Sequence, residues 1–159
     1  MFLWFIGTAV LTVAFVFRDP TFDYRLLIVG AVLPLGDAAT GGAGVLHTLL
    51  FSLVLMVVVM LSTVGRRPVR KLLLGLPIGT MLHLVFDGAW ATTALFWWPL
   101  GGWSFEDEGL RLPEASRGWL NVLFELAGAA MVAWIWRRAH LSDRVARRAF
   151  VHDGRLLLT

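Results

Sequence analysis

The chain has 159 residues, of which 58% are hydrophobic, and its mean hydropathy is positive. This composition excludes an ordinary soluble globular domain and predicts an integral membrane protein. The formal net charge of +3 does not indicate a nucleic-acid partner, because the basic residues stand at the ends of apolar runs and form no face of their own. The absence of cysteine excludes disulfides and thiolate chemistry, so any metal would need nitrogen and oxygen ligands.

Apolar segments predict the membrane-crossing elements in chain order. Four are long enough, or nearly so, to cross a bilayer: residues 1–17, 45–64, 72–100 and 119–136. Residues 26–35 would form only about 15 Å of helix, and a Gly-rich loop follows them up to residue 44. We therefore expect an all-α integral membrane protein of about five transmembrane segments, with the crossing at 26–44 broken by that loop. Irregular backbone at membrane depth is tolerated when it lines a cavity.

Arginine and lysine predict the orientation of these segments. The connector 66–71 holds four basic residues and the tail after residue 136 holds six arginines, whereas the loop 101–118 holds four acids and two arginines. Basic loops stay in the cytoplasm, so we expect a plasma (inner) membrane protein with its N-terminus outside and its C-terminus inside. Residues 1–138 would form the transmembrane domain. Residues 139–159 would form a basic cytoplasmic tail, either an amphipathic helix on the inner leaflet or a solvated segment.

Ionisable residues inside the five segments are the candidates for function. None of the fourteen lysines and arginines lies there, but three of the eleven acids do (Asp37, Asp87 and Glu125), together with His47 and His83. Such residues are costly in a membrane and mark functional sites. Because no basic partner is available within the segments, the carboxylates are expected to bind protons or a cation, and the two imidazoles favour a transition metal. A rise of 1.5 Å per residue places all five in the outer half of the membrane.

The metal hypothesis competes with simpler roles for the same residues. A single histidine on an apolar helix is usually a hydrogen-bonded packing residue, and a transmembrane aspartate can join helices. The common depth favours a site, so we predict Zn²⁺ or another divalent transition metal bound by Asp37, His47, His83 and Asp87. Four protein ligands leave an open position only if the coordination expands or one carboxylate supports a ligand from outside. Glu125 is a ligand, a general base or a protonated hydrogen-bond partner, and we expect a catalytic base.

Three motifs carry a family resemblance: LPLGD at 33–37, AGVLHTLLFS at 43–52 and GTMLHLVFDGAWATTALFWWPLGG at 79–102. They resemble the LPDLD-like, HRGxTHS and sHLxxD motifs, the last with an aromatic-proline exit, of the membrane-bound metal-dependent hydrolases of the LexA-regulated type. The resemblance covers roughly residues 26–102. It implies that the same two aspartates and two histidines bind metal, with Thr48 in the place of the family serine. Leu35 replaces the first aspartate of LPDLD, and Gly42 and Ala43 stand where the family has His-Arg.

These features predict a membrane-embedded metal-dependent hydrolase that acts on a lipid or lipid-linked (phospho)ester in the outer leaflet. The aromatic run FWWPLGGW at 96–103 is an interfacial belt or a platform for a lipid headgroup or sugar. We name Thr48, Trp98 and Trp103 as candidate substrate-binding residues. The alternative functions are a cation or proton pathway and a non-catalytic structural membrane protein. The sequence does not indicate an oligomeric state.

Overall fold

The computed structural model describes residues 1–19, 21–40, 44–100, 102 and 117–156. This part of the chain is helical with short turns and holds no strand, which confirms the all-α prediction. The α-helices are α1 (Phe2–Phe17), α2 (Tyr24–Val32), α3 (Leu49–Ser62), α4 (Arg67–Leu73), α5 (Gly75–Asp87), α6 (Thr93–Phe96), α7 (Leu120–Arg138) and α8 (Arg144–Asp153). Short 3₁₀ helices lie at Leu33–Thr40, Val45–His47 and Ala89–Ala91.

Helix length supports fewer membrane spans than the sequence predicts. Two helices in the described part of the chain are long and apolar enough to cross a membrane by length and composition: the 21-residue segment Arg67–Asp87, which joins α4 to α5, and the 19-residue α7. The apolar helices α1 and α3 have only 16 and 14 residues. A helix of about 14 residues reaches about 21 Å, short of a hydrocarbon core of about 30 Å. Five spans are therefore not supported.

The predicted span at 72–100 is not one helix. Helix α5 ends at Asp87 because Gly88 adopts a left-handed conformation with φ of 67°, which glycine tolerates best and which closes a helix. The chain then continues through the 3₁₀ helix Ala89–Ala91 and the short α6. The segment that follows residue 26 is broken, as expected, because α2 passes into a 3₁₀ helix after Val32. Residues 41–43 of the Gly-rich loop lie outside the described residues.

Helices α2 and α5 touch backbone to backbone through glycines. A Cβ atom on Gly79 would overlap the carbonyl oxygen of Leu27, and one on Gly30 would overlap the carbonyl oxygen of Leu76. Small residues allow this approach, as they do between helices in membranes. The consequence is that side chains of α5 can reach backbone groups of α2, and the carbonyl of Ala31 is one of these groups.

Helix α1 packs between α2 and α7, and the hydrophobic core lies along it. A Cβ atom on Gly128 of α7 would overlap the backbone nitrogen of Trp4, so α1 and α7 are also in close contact. The core consists of Phe5, Ala9, Val10, Val13, Phe22, Tyr24, Leu27, Ala31, Ile135, Ala139, Leu141 and Leu156. Residues on both sides of α8 therefore contribute to the same core as α1.

Large apolar side chains also point away from the molecule. On α3 they are Leu50, Leu53, Val54, Val57, Val58, Met60 and Leu61, and on α7 they are Leu120, Val122, Leu123, Leu126, Trp134 and Trp136. Single exposed apolar residues are normal, but contiguous patches of this kind mark surfaces that contact something other than water. The fold therefore presents two apolar helix faces outward.

Ion pairs hold the segment between α1 and α2 in place. This segment lies at the end of the bundle opposite the C-terminus of α5. Lys71 Nζ lies 2.7 Å from Asp19 Oδ2. Hydrogen bonds from Lys71 and Thr21 lower the pKa of Asp19 from 3.8 to about 2. Asp23 caps α2 by accepting from the backbone N–H of Arg25 at 2.9 Å and pairs with the Arg25 guanidinium. These contacts fix the end of the bundle at which most of the basic residues lie.

Candidate metal centre

His83 and Asp87 enter the site from one face of α5. They are four residues apart, which places them on adjacent turns of the helix, and both side chains are buried. The backbone contact between α2 and α5 lets His83 Nδ1 lie 2.7 Å from the carbonyl oxygen of Ala31. A carbonyl oxygen only accepts, so Nδ1 carries the proton and donates it to Ala31. The lone pair of His83 is therefore on Nε2.

His47 is held in the same way by a carboxylate. The 3₁₀ turn Val45–His47 brings its Nδ1 to 2.9 Å from Asp37 Oδ2, and that oxygen also accepts from the backbone N–H groups of His47 and Gly44 at 3.2 and 3.0 Å. Gly44 is needed here because a Cβ atom would lie 2.9 Å from Asp37 Oδ1. The Asp37 carboxylate therefore keeps the Nδ1 proton and leaves Nε2 of His47 as the acceptor.

The two Nε2 atoms are the central observation. Both are buried, and neither has a hydrogen-bond partner among the described residues. Leaving a buried acceptor unsatisfied costs about 1–3 kcal/mol, so two in one place require an explanation. One ligand atom each from His47, His83 and Asp87 lie within 4.8 Å of one another. These three buried residues form a group that could hold a metal ion.

Aromatic packing completes the walls around the two histidines. The Phe5 ring of α1 stacks on the His83 ring with centroids 3.8 Å apart, and the rings of His47 and His83 meet edge to face at 5.2 Å. Phe5 is fully buried. Rotation of His83 would break both its stacking and its bond to the α2 backbone, so the ring orientation is fixed by packing as well as by hydrogen bonding.

Arg117 corrects the expectation that the buried acids have no basic partner. Its Nη1 lies 3.1 Å from Asp87 Oδ1, and its Nη2 donates to the backbone carbonyl of Asp87. The guanidinium also lies over the Phe124 ring, 5.8 Å from the centroid. Arg117 precedes α7 and lies outside every predicted segment, and it reaches the end of α5 only through tertiary packing. The one feature of the sequence that could have indicated this contact is its position directly before a predicted span.

Two other residues predicted for the site, Asp37 and Glu125, are not part of the three-residue group. Asp37 contacts His47 Nδ1 and is not one of the three residues in that group. Glu125 accepts hydrogen bonds from the backbone N–H of Leu3 at 3.1 and 3.2 Å, so it caps α1. Its role as a catalytic base stays a prediction.

The predicted substrate-binding residues have mainly structural neighbours. Thr48 is fully buried and caps α3, because its Oγ1 accepts from the backbone N–H of Phe51 at 3.1 Å and donates to the carbonyl of Val45 at 2.7 Å. Trp98 is half-buried in the turn after α6. Trp103 lies outside the described residues. Their roles in substrate binding remain predictions.

Comparisons with known proteins do not assign the chain to a family. No family model matches the chain, and neither a curated protein nor a solved structure matches it. The resemblance to membrane-bound metal-dependent hydrolases therefore rests on the three sequence motifs alone.

Proposed function

We propose that the chain is a membrane-embedded, metal-dependent hydrolase. The observation that carries the proposal is the pair of buried Nε2 atoms of His47 and His83, which lie beside the Asp87 carboxylate and have no hydrogen-bond partner among the described residues. Two imidazoles and a carboxylate suit zinc, and catalytic zinc sites use three protein ligands so that a fourth position stays open. His47, His83 and Asp87 would hold the ion.

The surrounding residues fit a metal centre because they orient the ligand side chains. Asp37 and the Ala31 carbonyl keep the Nδ1 protons of the two histidines in place, which directs both Nε2 lone pairs inward. Arg117 balances the charge of Asp87, and its side chain is 20% exposed, so an incoming anion could contact it. When bound, the zinc ion supplies Lewis-acid chemistry by polarising a phosphoryl or carbonyl oxygen.

The proposed substrate is a lipid or lipid-linked phosphoester at the outer face of the plasma membrane. The exposed apolar faces of α3 and α7 suit contact with acyl chains. Trp90 and Trp97 are exposed just after the end of α5, as is common at a membrane interface. A guanidinium beside a metal centre favours an anionic substrate such as a phosphoester. The shorter helices α1 and α3 would require a locally thinner bilayer.

Metal content and hydrolysis together test the proposal. Detergent-purified wild-type protein should carry about one zinc ion per chain, and His83→Ala should lose it because the site keeps only two ligands. His152→Ala is the matched control, because that side chain is exposed on α8. Full metal occupancy in His83→Ala would refute the site.

The reaction is tested on a panel of lipid phosphoesters with the same proteins. Wild type and His152→Ala should hydrolyse at least one of them, and His83→Ala should not. If zinc-loaded wild type hydrolyses none and instead passes ions across liposomes, the hydrolase proposal is wrong and a cation or proton pathway replaces it.

A further inference from the structure

Helix α8 is attached to the bundle in a fixed orientation. Arg25 Nη1 donates to the backbone carbonyls of Val151 and His152 at 2.8 and 2.9 Å, which satisfies the last turn of α8. The backbone N–H of Tyr24 donates to the carbonyl of Gly154 at 2.9 Å. Leu156, directly beyond the helix, is buried in the core. Helix α8 is therefore docked on the bundle rather than solvated on all sides.

Docking leaves one face of α8 strongly basic. Ala146, Ala149 and Phe150 are half-buried and turn towards the bundle. The opposite side, which we call the basic face, exposes Arg144, Arg147, Arg148 and His152. In the part of the chain that the structure describes, no hydrogen bond or ion pair engages the three arginine side chains.

Two large apolar side chains stand on the exposed side of the same helix. Val145 is 76% exposed and Val151 is 65% exposed. These valines stand between the arginines of the basic face. They suit an interface with a polar, negatively charged layer above an apolar one, which is the arrangement that in-plane amphipathic helices contact at a membrane surface.

The position of α8 agrees with such a surface. It joins the bundle at the start of α2, beside the Asp19–Lys71 ion pair, and it follows the C-terminal end of α7 with Arg137 and Arg138. This end of the molecule carries the basic residues that the positive-inside rule assigns to the cytoplasmic leaflet, whose lipids are anionic.

We propose that α8 lies on the anionic surface of the cytoplasmic leaflet, with the three arginines of the basic face on lipid phosphates and Val145 and Val151 between the headgroups. The inference rests on the proposed membrane embedding and is independent of the metal centre. Each arginine should strengthen the contact about fivefold, equivalent to about 1 kcal/mol. Replacing all three should therefore weaken it about 100-fold.

A single fluorophore can report the contact, because the chain has no cysteine. Val151→Cys is labelled with an environment-sensitive dye, and the full-length protein is placed in nanodiscs of phosphatidylcholine with or without 30% phosphatidylglycerol. Emission should shift to the blue in the anionic discs at 50 mM salt and return at 500 mM salt, because salt screens the attraction. Equal emission in both discs, or a shift that high salt does not reverse, would overturn the proposal.

Two variants and a free anion separate a charged surface from a specific pocket. In the labelled protein, Arg144, Arg147 and Arg148 changed together to glutamine should lose the shift, and changed together to lysine they should keep it. Loss in the lysine variant would refute a surface contact, since a lipid surface responds to charge and not to guanidinium geometry. A blue shift caused by 10 mM inorganic phosphate in zwitterionic discs would also refute it. Metal content of the same samples shows whether the metal centre is intact.

Discussion

The hydrogen bonds between Asp37 and His47 provide a quantitative test of the metal centre. The substitution Asp37→Asn keeps an acceptor oxygen for His47 Nδ1, which now lies 2.9 Å from Asp37 Oδ2, and for the backbone N–H groups of His47 and Gly44. It removes the negative charge. A hydrogen bond to a charged group contributes about 1.5–3 kcal/mol, roughly twice a neutral one, so the His47 contact should weaken by about 1–1.5 kcal/mol.

The weaker hydrogen bond should lower the affinity for the metal, because His47 needs a fixed ring and a basic Nε2 to bind a metal ion. About 1.4 kcal/mol corresponds to a factor of ten, and loss of such a supporting carboxylate commonly costs 10- to 100-fold in metal affinity. We expect Asp37→Asn to weaken zinc binding within that range. Competition with a zinc-chelating dye in detergent measures the affinity directly.

A buried aspartate away from the histidines provides the control for a general loss of protein stability. Asp23 is 7% exposed and caps α2 far from the histidines, so Asp23→Asn should leave zinc affinity unchanged. If Asp37→Asn lowers affinity as far as His47→Ala, Asp37 is itself a ligand, as the sequence predicts, and our assignment of its supporting role is wrong. If affinity does not change, Asp37 does not determine the state of His47.

Three further predictions concern Arg117, Gly79 and Asp19. Arg117→Gln should retain zinc but lower kcat about 10²-fold, the typical cost of removing one donor from a developing charge, whereas metal loss in equilibrium dialysis would contradict this role. Gly79→Ala should destabilise the protein by about 1–3 kcal/mol, because a Cβ there overlaps the α2 backbone. Its Tm should fall, and the Tm of Gly36→Ala, whose Cβ meets only an ordinary contact at 3.5 Å, should not. Asp19 has a folded-state pKa of about 2, lowered from 3.8 by Lys71, so its contribution to stability is present above pH 4 and is lost as the pH falls towards 2. In Asp19→Asn, Tm should therefore fall less between pH 4 and pH 2 than in the wild type, and parallel curves would refute the pairing.

The sequence by itself determined the candidate ionisable residues and part of their geometry. The spacing of His83 and Asp87 is sufficient to place them on one helix face, because a helix repeats every 3.6 residues. Excess apolar residues predicted helices throughout, and the glycines after Leu35 predicted the broken segment. These inferences depend only on local chain geometry, so they required no knowledge of how the helices pack.

Helix ends were harder to predict, because a single residue such as a glycine can end a helix inside an apolar run. The apolar run at 72–100 indicates one span, but Gly88 closes α5 at Asp87. The hydropathy of α1 and α3 suits a membrane, whereas their lengths of 16 and 14 residues do not suit a full crossing. Hydropathy reports which solvent a segment prefers and does not report where its hydrogen-bonded turns end.

Only the tertiary structure decided which ionisable residues meet. Residues 10 and 52 positions apart form the hydrogen bonds that orient His47 and His83, and Arg117 reaches Asp87 across 30 positions. The same packing takes Glu125 to the start of α1 rather than into the three-residue group. A rise of 1.5 Å per residue predicts how deep each residue lies in the membrane. It does not predict the direction in which the side chain points around the helix axis. Rotation is fixed by interhelical contacts such as the glycine pair of α2 and α5, so the sequence determined the candidate residues and the packing determined which of them meet.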